Sequence, residues 1–403
     1  MASEFPFPLT PFPEEVQAKI KAKFLGFRNG LVDVGGRHAL PAHYGLFASK
    51  YFNYKMELSD IFSRFQEDDV LVMTFPRSGT TWTQEIVWTM RNQLDVDTAA
   101  AVPLDARVPF IETQSHRQGL PPRPMPGRGS SHPVSLDSII PPHASPPSEV
   151  VEHFRRRHPG TNPKGGGVYL DLVDALGSPR TIKTHLPFSV LSPDLVNCCK
   201  VVYVARNPKD VAVSFYHQQR LVKSAEYVGS FHEYMVDFWC QDHHTRGDEI
   251  LCTVLRAPYW SHLAEGWARR HHPNVLFLFY EDMKEDFLRE LGRLNSFLQT
   301  GLTESQLQTV ARHASFPGMK SRGATNPTAA LQEAGNFKKG EADFIRKAQC
   351  QHRDSLTFHS SGITGDWTNF FTPDLEEKFQ EWMEKWQPTS REIPFKYHIE
   401  KEM

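Results

Sequence analysis

Residues 70–90 read Val70-Leu71-Val72-Met73-Thr74-Phe75-Pro76-Arg77-Ser78-Gly79-Thr80-Thr81-Trp82-Thr83-Gln84-Glu85-Ile86-Val87-Trp88-Thr89-Met90. Residues 70–75 form a short apolar run rich in β-branched and aromatic side chains, which predicts a strand. Trp82, Ile86 and Met90 then recur at helical spacing. Only a tight loop fits between them. A strand–loop–helix junction aims consecutive backbone N–H groups and the positive end of a helix dipole at one point, an arrangement that binds a tetrahedral oxyanion. Arg77, Ser78, Thr80 and Thr81 add a fixed charge and three hydroxyls, and Gly79 lets the backbone approach closely. The loop reads as an anion cradle, or else as an ordinary corner whose Ser, Gly and Thr only cap the helix. Its spacing is not G-x-x-x-x-G-K-[ST], and that string occurs nowhere in the chain, which argues against nucleoside-triphosphate hydrolysis.

Bulk properties narrow the choice. A chain of 403 residues fits one α/β domain with insertions as well as two or three average domains. Forty-five basic against 47 acidic residues leave a net charge of −2, so no bulk charge favours nucleic acid or an anionic membrane as partner. Cys198, Cys199, Cys240, Cys252 and Cys350 are odd in number and lack C-x-x-C spacing. That indicates neither a disulfide framework nor a zinc site, and fits a reduced, cytoplasmic setting. The first residues carry acids and prolines where a secretory signal needs a basic start and an apolar core, and no run approaches the ~20 apolar residues of a membrane span.

Along the chain, residues 1–65 are mixed, with a helix predicted over 14–24 and the aromatic cluster Tyr51-Phe52-Asn53-Tyr54 read as core. Residues 119–163 hold 11 of the 30 prolines together with Arg155-Arg156-Arg157. Such a composition cannot pack a core, so 113–166 reads as an inserted loop, either an inert surface excursion or a lid. Further strands are predicted at 180–184, 200–205 and 275–279. One helix starts at Pro208 with Asp210 in its first turn. Another sets Leu288, Leu291, Leu294 and Leu298 on one side, and a last one, capped near Thr372, aligns Phe379, Trp382 and Trp386. The alternation predicts a single α/β domain with a central parallel sheet flanked by helices and a core over about 66–390. His185 falls just past a strand C-terminus, where open α/β sheets place their chemistry, although a lone histidine there is as often structural.

The stretch from Thr74 to Trp82 closely resembles the phosphosulfate-binding loop of the cytosolic sulfotransferases, T-Y-P-K-S-G-T-T-W, with Arg77 in place of the lysine. Three later strings resemble the same family in the same order: Lys183-Thr184-His185-Leu186-Pro187, the run from Tyr203 through Arg206-Asn207-Pro208-Lys209-Asp210 to Ser214, and Tyr280-Glu281-Asp282-Met283-Lys284. The resemblance spans about 70–386 apart from the inserts. It implies a nucleotide-kinase-like α/β fold and transfer of the sulfuryl group of 3′-phosphoadenosine 5′-phosphosulfate (PAPS) to a hydroxyl or amine of a small acceptor, leaving PAP. No metal is implied, because a sulfuryl group carries less charge than a phosphoryl group, whose transfer normally recruits magnesium.

The resemblance also implies residue roles. Arg77, Ser78, Gly79, Thr80 and Thr81 hold the 5′-phosphosulfate. Trp82 and Tyr280 contact the adenine, with Ser315 and Phe316 on its other side, and Arg206 and Ser214 hold the 3′-phosphate. His185 takes the acceptor proton, Lys183 and the Thr80 and Thr81 amides contact the sulfuryl oxygens, Arg77 neutralises the leaving phosphate, and Phe110 touches the acceptor. A guanidinium keeps the charge of an ammonium but spreads it over a broad fork, which predicts slower chemistry.

The family's F-x-R-K-G-x-x-G-D-W string is split here. Phe344-Ile345-Arg346-Lys347-Ala348 supplies its first half and Gly362-Ile363-Thr364-Gly365-Asp366-Trp367 its second. Arg346 lies 30 residues after Phe316, close to the family's separation, so 348–361 reads as a second insertion that leaves Phe344, Arg346, Lys347 and Gly362 at the 3′-phosphate. The family's dimer signature, K-x-x-x-T-V-x-x-x-E, lacks its lysine and valine, with Thr368 and Pro373 in those places, which leaves monomer and dimer open. A small-molecule kinase of similar architecture and a non-catalytic nucleotide-binding protein are the rival readings. Phenols, steroids, other alcohols and amines all stay open as acceptors.

Overall fold

The computed structural model describes residues 9–11, 14–25, 31–35, 45–49, 65–111, 173, 176–223, 225–240, 259–333, 335–341, 344–345 and 364–398. The expectations for the two inserts, for Tyr51-Phe52-Asn53-Tyr54, and for Arg346, Lys347 and Gly362 lie outside these residues. Three short strands, β1 (Leu9–Pro11), β2 (Leu31–Gly35) and β3 (Gly45–Ser49), pair antiparallel in the order β1-β2-β3. This small sheet was not anticipated from the mixed composition of the first 65 residues.

The second sheet contains β4 (Val70–Thr74), β5 (Thr181–Thr184), β6 (Lys200–Ala205) and β7 (Val275–Phe279), all parallel, in the order β5-β4-β6-β7. These are the four predicted strands, with β4 and β5 each one residue shorter than expected. Largely apolar runs form β4, β6 and β7 because helices cover both faces of the sheet, whereas the edge strand β5, Thr181-Ile182-Lys183-Thr184, has only Ile182 as an apolar residue. Seven helices of eight or more residues are described: α1 (Glu14–Lys23), α2 (Thr80–Arg91), α3 (Pro208–Leu221), α4 (Tyr259–Ala268), α5 (Phe287–Leu298), α6 (Glu304–His313) and α7 (Pro373–Lys385).

Strand alternation sorts the core into two layers. Val70, Val72, Val202 and Val204 face α2, α5 and α6, whereas Leu71, Met73, Val201 and Tyr203 face α1, α3, α4 and α7. In α5 the buried stripe is Phe287, Leu291, Leu294 and Leu298, and Leu288 is 40% exposed, which corrects the expectation for that residue. At about 100° per residue, Phe287 falls within the arc of the other three while Leu288 is turned well away from it. Phe379 and Trp382 of α7 are buried as expected, and Trp386 packs part-buried against the same layer.

Two ionic contacts, the first buried and the second partly exposed at Glu376, fix the edges of this framework. Arg180 grips Asp69 through both carboxylate oxygens, at 2.7 and 2.5 Å, and so ties the start of β5 to the start of β4. Lys209 of α3 lies over the rings of Trp367, Phe371, Phe379 and Tyr397, with its ammonium 2.6 Å from Glu376 Oε1, and clamps the C-terminal segment to α3. The sheet order matters most for function. The chain leaves β4 for β5 on one side and then returns for β6 on the other, so the C-terminal ends of β4, β5 and β6 open onto one topological switch point.

Candidate active site

Each strand delivers one group to that switch point. After β4, Arg77 and Gly79 both adopt left-handed backbone conformations, with φ of 70° and 105°. Only glycine fits the second position: a Cβ there would lie 2.7 Å from Cδ2 of Tyr280. Gly79 is also the N-cap of α2 and supplies no side-chain cap, so the helix start faces the loop. Ser78 is buried, and its Oγ has no hydrogen-bond partner among the described residues. An orphaned buried hydroxyl beside an uncapped helix start is what a bound anion would satisfy.

His185 follows β5 and is buried. Its Nδ1 lies 2.8 Å from the carbonyl oxygen of Thr74 and 3.2 Å from Thr74 Oγ1, which in turn is 2.6 Å from Thr80 Oγ1. A carbonyl can only accept, so Nδ1 carries the proton and Nε2 is left basic. Phe110 meets the His185 ring edge to face at 5.1 Å, and the Lys183 ammonium lies 4.1 Å from the Phe110 ring centre. Backbone bonds between Ile111 and Lys183 and between Lys183 and Pro109 hold this group together. The structure thus brings Phe110, Lys183 and His185 into one cluster, joined to Thr80 through Thr74.

A second cluster gathers after β6. Arg77 Nε donates to Ser214 Oγ at 2.9 Å and its Nη2 to the Phe344 carbonyl at 3.1 Å, with the guanidinium over the Phe344 ring. Arg206 donates to the Arg77 carbonyl and covers the Tyr280 ring at 4.5 Å. The Arg77 charge is therefore turned toward Ser214 and Phe344, residues expected at the 3′-phosphate. Trp82 packs on Tyr280 and Phe287 and donates its indole N–H to the Ala314 carbonyl, next to Ser315 and the buried Phe316. Thr81 is half-buried in the first turn of α2.

Several supporting residues escaped the sequence reading. Asp210 accepts from the Gly365 and Trp367 amides, and Asn207 bonds both Asp210 and Glu281. Burial opposes the charge on Arg206, but Asp210, Tyr280, Glu281 and Asp366 outweigh it and hold its pKa above the usual range. Burial pushes the Glu281 carboxyl up to about 7, against the Asn207 amide and Arg206. Lys284 is lowered to about 8 by burial and then by Arg206. Glu85 receives Arg107, His313 and Arg322; burial opposes its charge, but the bonds and charges of His313 and Arg107 outweigh it and hold its pKa below the usual carboxylate range. It lies in the quoted stretch, where a carboxylate on a helix of otherwise buried residues was the available signal.

A parallel sheet whose switch point gathers an uncapped helix start, two arginines and an imidazole has the layout in which open α/β enzymes take phosphate-bearing ligands. Residues 67–391 match the family described as Sulfotransferase domain, and the chain belongs to that family. It is a sulfotransferase that moves a sulfuryl group from PAPS to a small acceptor. The chain is similar to Sulfotransferase 1E1 of Homo sapiens, with 31% identity over 319 residues, 79% of this chain and 83% of that one. Two solved structures of retinol dehydratase are similar at 26% identity over 96% of this chain. The complex with androsterone and inactive cofactor PAP has a TM-score of 0.65 and is covered over 97% of its length; the complex with retinol and PAP has 0.66 and 98%. Among the described residues no helix is long and apolar enough to cross a membrane.

Proposed function

We propose that this sulfotransferase acts on apolar alcohols, with His185 as general base. The observation that carries the reading is the bond from His185 Nδ1 to the Thr74 carbonyl, which leaves Nε2 basic beside Phe110. The aromatic ring beside the base supports the acceptor class: Phe110, only partly buried, meets the His185 ring at 5.1 Å. Androsterone and retinol, which occupy the two similar structures, are themselves apolar alcohols.

PAPS supplies an activated sulfuryl group, whose bond to the 5′-phosphate oxygen breaks, with its electron pair, as the acceptor oxygen bonds to sulfur. His185 Nε2 takes the hydroxyl proton, and Lys183 with the Thr80 and Thr81 amides faces the sulfuryl oxygens. Ser78 and Gly79 complete the cradle, and Trp82, Tyr280, Ser315 and Phe316 bound the adenine pocket. Arg206, Ser214, Phe344, Arg346, Lys347 and Gly362 serve the 3′-phosphate. For Arg77 to neutralise the leaving oxygen, its guanidinium must swing away from Ser214. The chain is read as one domain with inserts at 113–166 and 348–361. The odd number of cysteines, without C-x-x-C spacing, supports a reducing cytoplasmic setting.

The test is sulfur-labelled PAPS with a panel of apolar alcohols, phenols and amines. Label is expected in the alcohols, and His185→Ala should transfer about 10²–10⁴-fold more slowly with PAP affinity unchanged. Equal labelling by both proteins excludes His185 as base, and preference for amines excludes the acceptor class.

A further inference from the structure

We propose that His262, set in place by Tyr203, is a positioning residue for His185; the inference rests on His185 being the base. His262 is fully buried in α4, with Nε2 3.2 Å from the His185 carbonyl oxygen. Because that oxygen only accepts, Nε2 carries the proton, and in the neutral ring Nδ1 is the acceptor. It faces the Tyr203 hydroxyl at 2.6 Å. The His185 ring is thus held by Thr74 while its main chain is held by His262. Phe75, the residue after Thr74, packs edge-on against the His262 ring at 5.9 Å, so the two tethers meet in one place.

The neighbourhood is shaped around this chain of bonds. Tyr203 stands in the middle of the buried strand β6, stacked on Phe277 at 4.9 Å. A tyrosine in such a strand must find a partner for its hydroxyl. Gly266, one turn beyond His262 in α4, makes the room, since a Cβ there would lie 2.6 Å from the Tyr203 ring. Glu265, from the same turn, accepts the Ser189 amide at 2.7 Å. Helix α4 therefore grips residues 185–189 at both ends, and an imidazole displaced by about 1 Å loses on the order of 10²-fold in rate.

The experiment compares His262→Leu, His262→Gln and the near-isosteric Tyr203→Phe, using the panel alcohol that the wild type sulfates fastest. His262→Leu is expected to lower kcat about 10–100-fold, leaving the KM for PAPS and the affinity for PAP within about twofold. His262→Gln retains an N–H near the Nε2 position and should recover most of the rate, and Tyr203→Phe should lose about fivefold. A second measurement is independent of turnover: the exchange rate of the His185 Nδ1 proton in histidine-ring NMR, with PAP bound, should rise at least tenfold in His262→Leu and not in His262→Gln. Wild-type kcat in His262→Leu, equal losses in the Leu and Gln variants, PAP affinity lost in parallel with rate, or an unchanged exchange rate would each overturn the proposal. A wild type that transfers nothing, with the exchange rate still raised in His262→Leu, refutes the functional reading and retains the positioning role.

Discussion

Single residues set the most exacting limits on this site. Gly79 needs both a left-handed backbone and the absence of a Cβ. An L side chain there costs about 1–2 kcal/mol in backbone strain and must also displace Tyr280. Gly79→Ala is expected to weaken PAP binding about 10–100-fold by calorimetry, with circular dichroism unchanged. Glu281 offers a pH test. Its carboxyl rises from 4.5 to about 7 on folding, so between those values the folded protein holds the extra proton. Stability therefore falls as pH rises through that window and levels off above about 7, a loss of up to about 3 kcal/mol. Glu281→Gln should match the wild type at pH 4.5 and melt at a higher temperature at pH 8; parallel melting curves at both pH values would contradict the assignment. The sequence made His185 and Arg206 legible through their neighbours in short strings. It could not reveal Thr74 as the partner of His185, since the acceptor is a main-chain carbonyl that any residue would supply.

Among elements, β4, β6 and β7 were readable because each is a largely apolar run, whereas β5, Thr181-Ile182-Lys183-Thr184, was readable only through the string that it opens onto, Lys183-Thr184-His185-Leu186-Pro187. The face of α5 was misread by one position, because Leu288 and Phe287 are both apolar and only the phase of the stripe separates them. The small antiparallel sheet escaped because its strands are only three to five residues long and the stretch shows no clear periodicity. The split 3′-phosphate segment makes a prediction of its own. Removing 348–361, so that Lys347 joins Gly362 directly, should keep PAP affinity within about threefold. Arg346→Ala should lower it at least tenfold, the worth of a charge-assisted hydrogen bond. Loss of binding on deletion would show that the insert takes part in the site.

At the scale of the molecule, the two packed layers converge on the switch point, so the site is assembled from residues far apart in sequence. Contacts such as Arg77 with Phe344, 267 positions apart, are fixed by topology and leave no local trace. The ammonium caged by Trp367, Phe371, Phe379, Tyr397 and Glu376 has a practical outcome. Reductive alkylation should spare Lys209 while surface lysines react, and peptide mass spectrometry would then find it labelled only when the C-terminal segment has lifted from α3. Its labelling rate therefore clocks detachment of the tail, an event that also withdraws the Gly365 and Trp367 amides from Asp210 beside Arg206.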